Sequence, residues 1–235
     1  MILLPRMCKL TFMSGGKMRY ILFDLDGTLI NTRDGIVYSI SLALKTVGIE
    51  IKDYKLLERH IGPPIKEGFQ NYYNFSDEKA DEVVAIYRQF YDKLWKDNSK
   101  VYDGVKECLI HLKKKGYRLI VATSKLERIA KEFLEYFELY QYFDGIYGSN
   151  EDQSRSKKVD ILQYAIASQK IQSEDTMYMV GDRCFDVYGA KYLDIPCIGV
   201  LYGFGTEQEL RAAGAMECIR TPEELLHLME SIEDN

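Results

Sequence analysis

Asp24 and Asp26, one leucine apart in "ILFDLDGTLINT" (residues 21–32), follow directly on an apolar run that reads as a buried strand. Three later segments repeat that arrangement of an apolar run ending in chemistry-bearing side chains. "VATSK" sets Thr123 and Ser124 beyond one run, "SRSKK" brings Lys157 and Lys158 after another, and "MVGDRCFD" brings Asp182 and Asp186 after a third. In open α/β sheets ligands bind at the carboxyl ends of the strands. If these runs are neighbouring parallel strands, four carboxylates, a hydroxyl and an ammonium converge on one rim.

Such a set has a use in phosphoryl transfer. Clustered carboxylates repel one another unless a cation sits among them, and an all-oxygen site with few protein ligands suits Mg²⁺, whose shell substrate phosphate commonly completes. One aspartate can serve as a nucleophile that becomes an aspartyl phosphate. The other, two residues on, can protonate the leaving oxygen and later activate water. A hydroxyl, backbone N–H groups and a lysine offset charge on the phosphoryl oxygens. Taken singly, each residue has a plainer reading. Asp182 and Asp186 could cap a helix beginning near Cys184, Asp24 or Asp26 could be an Asx-turn residue, and Thr123 or Ser124 could cap the helix carrying Leu126 and Ile129. The plainer readings do not account for the whole set.

The elements that must position these groups alternate in character. Strands are expected at Tyr20–Asp24, Arg118–Thr123, Phe143–Tyr147, Met177–Val180 and Cys197–Val200, with amphipathic helices between the later ones, the pattern of a doubly wound parallel sheet. Thr206 with Glu209, and Thr221 with Glu224 and Pro222, read as capping boxes at two helix starts. The first crossover is far too long for one helix. Ile36, Ile40, Ala43, Leu44 and Val47 mark one apolar helical face within it, and Val83, Val84, Tyr87, Phe90, Tyr91, Leu94 and Trp95 another. A helical insert over residues 32–99 is therefore expected inside a core made of residues 18–31 and 100–235. Residues 1–17 read as a flexible lead.

Composition narrows the function classes. The 235 residues hold 46% hydrophobic side chains, enough for a full core, and carry a formal net charge of -5 without a basic block, which argues against nucleic acid as a partner. Nothing approaches a membrane span. Cys8, Cys108, Cys184, Cys197 and Cys218 are scattered and form no C-x-x-C pair, so they read as reduced thiols of a cytoplasmic protein. His60, His111 and His227 lie far apart and read as surface or satisfied helix residues.

Together the four segments resemble the haloacid-dehalogenase-like phosphohydrolases: "DLDGT" their first motif, Thr123 their second, a lysine of "SKK" their third, "GDRCFD" their fourth. Stretches such as "GVLYGFGTEQELRAAGA" are similar to phosphoglycolate-phosphatase-like members, and "IGPPIKEGF" resembles a loop of their helical cap. The resemblance implies that Asp24 is nucleophile and magnesium ligand, and that Asp26 is general acid/base with its carbonyl on the metal. Asp182 ligates the metal, Asp186 does so directly or through water, and Thr123 binds the phosphoryl group. Many relatives have proline after the third-motif lysine, whereas here Lys157 and Lys158 are adjacent and Val159 follows. Lys158 is preferred because it fits a subset with Ile161, Leu162, Tyr164 and Ala165 at matching spacing.

The cap loop Gly62–Pro64 would face the site, and Arg59, Lys66 and Lys125 are candidate anion contacts, Lys125 reading equally as a solvated first-turn lysine. Tyr72, Tyr73, Tyr87, Tyr91 and Trp95 read chiefly as cap core, with stacking on a nucleobase as the lesser alternative. The expected function is Mg²⁺-dependent hydrolysis of a small phosphorylated metabolite such as phosphoglycolate, a sugar phosphate or a nucleoside monophosphate, by a monomer or homodimer. A sugar-phosphate mutase and an inactive binding protein on the same fold are the alternatives. A dehalogenase is disfavoured, because by resemblance it would lack the acid at position 26.

Overall fold

The computed structural model describes residues 17–152 and 154–233, so the lead expected over residues 1–17 lies outside the described residues except for Lys17. In chain order the elements are β1 (Arg19–Phe23), β2 (Ile30–Asn31), α1 (Arg33–Thr46), α2 (Ile65–Tyr73), α3 (Asp77–Leu94), β3 (Lys100–Val101), α4 (Val105–Lys114), β4 (Arg118–Leu126) and α5 (Glu127–Tyr136). There follow β5 (Gly145–Ser149), α6 (Lys158–Gln169), β6 (Thr176–Gly181), α7 (Cys184–Tyr192), β7 (Cys197–Val200), α8 (Glu207–Ala213), β8 (Glu217–Ile219) and α9 (Pro222–Glu233).

Six strands form one parallel sheet in the order β5-β4-β1-β6-β7-β8. From β1 the chain winds outward through β4 to β5, then returns to start again at β6 on the other side of β1. The crevice between β1 and β6 is thus the topological switch point, where such sheets bind ligands. Alternation along β1 divides the core: Ile21 and Phe23 join one apolar cluster, Tyr20 and Leu22 the other. Both faces are covered, which explains why the strands read as continuous apolar runs rather than alternating ones.

The first crossover carries α1, α2 and α3 between β2 and β3, which pair antiparallel (Ile30 with Val101, Asn31 with Lys100), so both chain crossings run through one short ribbon. The insert does not keep its core to itself. Trp95 stacks on Phe133 of α5 at 4.0 Å between centroids, Tyr91 stacks on it at 6.1 Å, and the cluster continues from Ile36, Val83 and Tyr87 into Phe23 and Val121 of the sheet.

Several boundaries differ from the sequence reading. The third core strand lies at Gly145–Ser149 rather than Phe143–Tyr147, because a short 3₁₀ turn at Tyr140–Tyr142 occupies the approach. A sixth strand, β8, was not expected: three residues carry too little pattern, and its pairing with β7 makes it a strand. β4 runs on to Leu126 through a register shift against β5, and α5 starts at Glu127 with Leu126 in the cap position. Thr123 and Ser124 are therefore not the N-cap of α5. The irregularity is a bulge of the kind that re-aims side chains next to sites, and Gly148 of β5 permits it, since a Cβ there would lie 2.5 Å from the Lys125 carbonyl oxygen. Thr206 accepts from the Glu209 N–H (3.1 Å), but the Glu209 carboxylate turns to Arg183 and the Cys184 N–H instead of closing a box. Thr221 accepts from the Glu224 N–H (3.2 Å), and the Glu224 carboxylate takes the Arg220 N–H one residue early.

Candidate active site

β1 delivers its last ladder bond from the Asp24 N–H to the Val180 carbonyl (2.9 Å), which fixes Asp24 beside the end of β6. The chain then turns back tightly, with the Gly27 N–H on the Ile30 carbonyl (2.9 Å) and the Ile30 N–H on that of Leu25 (3.0 Å). Gly27 has φ +84°, and a Cβ on it would lie 2.2 Å from Asp182 Oδ2, so this position needs glycine for both its conformation and its space. Beyond β6, Phe204 donates its N–H to Asp182 Oδ2 (2.7 Å) and the Arg183 N–H bonds Asp186 Oδ2 (3.1 Å). Asp186 thus caps α7 and faces the site at once.

Lys158, the first residue of α6, ties the strand ends together. Its ammonium lies 2.7 Å from Asp24 Oδ1, 2.7 Å from Asp186 Oδ1 and 2.9 Å from the Ala122 carbonyl, with the side chain 4% exposed. Lys157 precedes it in the cap position and is exposed. Asp24, Asp182 and Asp186 each put an oxygen within 4.8 Å of the others. Burial, reinforced by Asp186 and Asp24, pushes the Asp182 carboxyl far above the ordinary range. Asp186 is pushed up to about 6 by burial and by Asp24, against the lowering effect of Lys158. Burial opposes the charge of Lys158, but Asp186 and Asp24 outweigh it and raise the ammonium above its usual value. One ammonium therefore leaves this group of carboxylates short of positive charge, and Asp182 Oδ1 is buried with no hydrogen-bond partner. Hard oxygen donors, mutual repulsion and an unsatisfied buried oxygen together fit a divalent cation.

Thr123 is 1% exposed at the β4 bulge, and its hydroxyl accepts from the Lys125 N–H at 3.3 Å. Thr123, Ser124, Lys125 and Asp26 line a cavity of about 170 Å³ beneath the insert, walled by Ile36, Ile61, Ile65, Tyr87, Tyr91 and Ile129. Lys125 is not a solvated first-turn lysine: its side chain is 7% exposed and its ammonium lies 3.0 Å from Asp26 Oδ2. The loop Gly62–Pro64 lines this cavity and also a second opening at Lys157 and Lys158. Arg59 lies over the Tyr72 ring at 4.0 Å, and Lys66 sits between Asp77 (2.9 Å) and Asp81 (2.8 Å), so these two cations are engaged within the insert. Tyr87, Tyr91 and Trp95 are buried.

Three arginines that the sequence did not single out reach this region. Arg183 donates to the Ile61 carbonyl and to Glu209 (2.9 Å), pinning the loop of the insert to the core, and Arg88 and Arg128 line the cavity while both reach Glu151. Only the place of Arg183 inside "GDRCFD" hinted at a role. His60 is neither on the surface nor satisfied: it is 2% exposed among Phe69, Tyr72 and Tyr73, with both ring nitrogens unpartnered. Cys108, Cys184, Cys197 and Cys218 are free thiols, and no described helix is long and apolar enough to cross a membrane.

Comparison with known proteins agrees with this architecture. A family profile described as haloacid dehalogenase-like hydrolase matches residues 21–200. The chain is similar to a 5'-nucleotidase of Pseudomonas aeruginosa, 40% identical over 202 residues that cover 85% of this chain and 91% of that protein. It is also similar to the tyrosine-protein kinase PtkA of Mycobacterium tuberculosis, 38% identical over 192 residues covering 81% of this chain and 65% of that protein. Among solved structures, that of a predicted phosphatase from Clostridium acetobutylicum superposes with a TM-score of 0.88 at 41% identity, covering 92% of this chain and 100% of the other. With the sheet order, the four strand-end segments and this profile in agreement, the chain belongs to the haloacid dehalogenase-like hydrolases.

Proposed function

We propose that the protein hydrolyses phosphomonoesters through a phosphoryl group carried on Asp24. The observation that carries this reading is the Asp24 carboxylate at the β1–β6 switch point, held on Oδ1 by Lys158 and flanked by Asp26, Thr123, Asp182 and Asp186. Asp24 attacks phosphorus as the bond to the leaving oxygen breaks, and Asp26 gives that oxygen a proton. Asp26 then takes a proton from water as the water oxygen attacks phosphorus, which returns Asp24 and releases phosphate. Thr123 and Lys158 hold the phosphoryl oxygens. Mg²⁺ held by Asp24, Asp182, Asp186 and the Asp26 carbonyl would supply further positive charge against those oxygens.

Hydrolysis is favoured over a mutase reaction because a mutase must clamp a second phosphate. Arg59 and Lys66 are occupied inside the insert, and the cavity arginines Arg88 and Arg128 both reach Glu151. The apolar walls favour a leaving group with an apolar or ring face over glycolate, which would leave Ile36, Ile61 and Tyr87 without contact. Nucleoside monophosphates therefore head the candidates, which the name of the Pseudomonas relative supports, followed by sugar phosphates and phosphoglycolate. The test is phosphate release from a panel of phosphomonoesters with Mg²⁺, with chelator and with Ca²⁺. One phosphate per ester in Mg²⁺ alone is expected. Full turnover in chelator, isomerisation without phosphate release, or transfer to a tyrosyl peptide in place of water overturns the reading.

A further inference from the structure

Lys125 has no part in the scheme above, yet its ammonium is closely held. Nζ lies 3.0 Å from Asp26 Oδ2 and 2.8 Å from the Tyr91 hydroxyl, with the Tyr91 and Phe133 rings 4.6 and 4.8 Å away. Tyr91 belongs to α3 of the insert, Lys125 to the β4 bulge and Asp26 to the turn after β1, so one side chain joins three elements. Burial keeps the Tyr91 phenol protonated, and its oxygen accepts from the ammonium. A buried ammonium is costly without a counter-charge, and Asp26 supplies one in its ionised form, the form left once its proton has gone to the leaving oxygen. The same contact determines how that carboxylate is turned: Oδ2 faces Lys125, while Oδ1 is buried with no partner.

We propose that Lys125 is a positioning residue that couples the helical insert to Asp26. The packing of α3 places the ammonium through Tyr91, and the ammonium fixes how the Asp26 carboxylate is turned in the cavity that it lines. This rests on the phosphomonoesterase reading. A group that only anchored the substrate's charge would act on KM instead.

The experiment uses the full chain with Mg²⁺ and two substrates, an alkyl phosphate, whose leaving oxygen needs a proton, and p-nitrophenyl phosphate, whose leaving oxygen does not. Lys125→Met is expected to lower kcat on the alkyl ester by roughly 10- to 100-fold, the scale of a displaced catalytic group, with KM changed less than about threefold on that scale. Single-turnover phosphorylation by p-nitrophenyl phosphate is expected to slow less. Tyr91→Phe, which removes one hydroxyl and keeps the ring, is expected to show the same pattern more weakly. The double variant is expected to lose no more than Lys125→Met alone, and Lys125→Arg to recover part of the rate. Raised KM with unchanged kcat, equal losses on both esters, or additive losses in the double variant would overturn the proposal. Should Lys125→Met fail to fold, Tyr91→Phe decides by the same pattern. Failure of the unaltered protein to hydrolyse either ester would count against the function itself, and is thereby distinguishable.

Discussion

The rim of the sheet and the helical insert solve opposite physical problems. At the rim, Asp24, Asp182, Asp186 and Lys158 are all under 8% exposed, and one ammonium meets Asp24 and Asp186 at hydrogen-bond distance while Asp182 Oδ1 stays unpartnered. In the insert, apolar and aromatic contact does the holding, through Trp95 and Tyr91 on Phe133 and through His60 among Phe69, Tyr72 and Tyr73. Both His60 ring nitrogens are unpartnered there, an unfavourable burial that the surrounding aromatic packing offsets. The rim is held by charge and hydrogen bonds, the insert by packing.

The sharpest way to break this contrast is Lys158→Met, which keeps the stem and deletes the rim's central charge. Activity is expected to fall by roughly 10²- to 10³-fold, the scale of a lost electrostatic stabiliser. Stability without metal is expected to fall by about 3–5 kcal/mol, as when one partner of a buried ion pair is removed. Millimolar Mg²⁺ should return part of that stability, by relieving the repulsion that Lys158 no longer offsets. Urea midpoints with and without Mg²⁺, together with kcat, measure all three, and a variant as stable and active as its parent would mean that the rim is not held by charge.

This contrast also decides what could be read from the sequence. Asp24, Asp26, Thr123, Asp182 and Asp186 each sit at the end of an apolar run, so strand periodicity and the carboxyl-end rule bring them together without knowledge of side-chain packing. The insert offers no such rule. Lys125 meets Asp26 because a bulge carries β4 past Thr123, and Arg59 and Lys66 turn away because Tyr72 and Asp81 lie nearby. Those outcomes depend on contacts between residues far apart in the chain. Lys157 and Lys158, adjacent in sequence, differ because the first turn of α6 buries one and exposes the other.

Phe133→Ala tests the insert's side of the comparison. Phe133 is fully buried between α5 and the Trp95 and Tyr91 rings, and its truncation is expected to destabilise by about 3–5 kcal/mol. Because the cluster is shared, chemical unfolding should stay a single transition. An insert that melts separately from the sheet would contradict the continuous core.

A smaller effect concerns His60, whose pKa is lowered to about 4 by burial and by Arg59. Its unfolded value is about 6.5. The fold therefore keeps this contribution above pH 6.5 and loses it as pH falls towards 4, when the unfolded chain takes up the proton first. The loss is expected to reach ~3 kcal/mol by pH 4. His60→Phe should flatten that part of the stability profile relative to the parent, and parallel profiles would show that the ring is not held neutral by burial.

The central claim is that Asp24 carries the phosphoryl group, and acid quench during turnover tests it directly. Rapid mixing with a hydrolysed ester, quenching in acid and peptide mass spectrometry should find phosphate on the peptide holding Asp24, labile to hydroxylamine as an acyl phosphate is. Asp24→Asn, folded by circular dichroism, should show neither phosphopeptide nor turnover. Phosphate on another residue, or undiminished turnover by Asp24→Asn, would contradict the account.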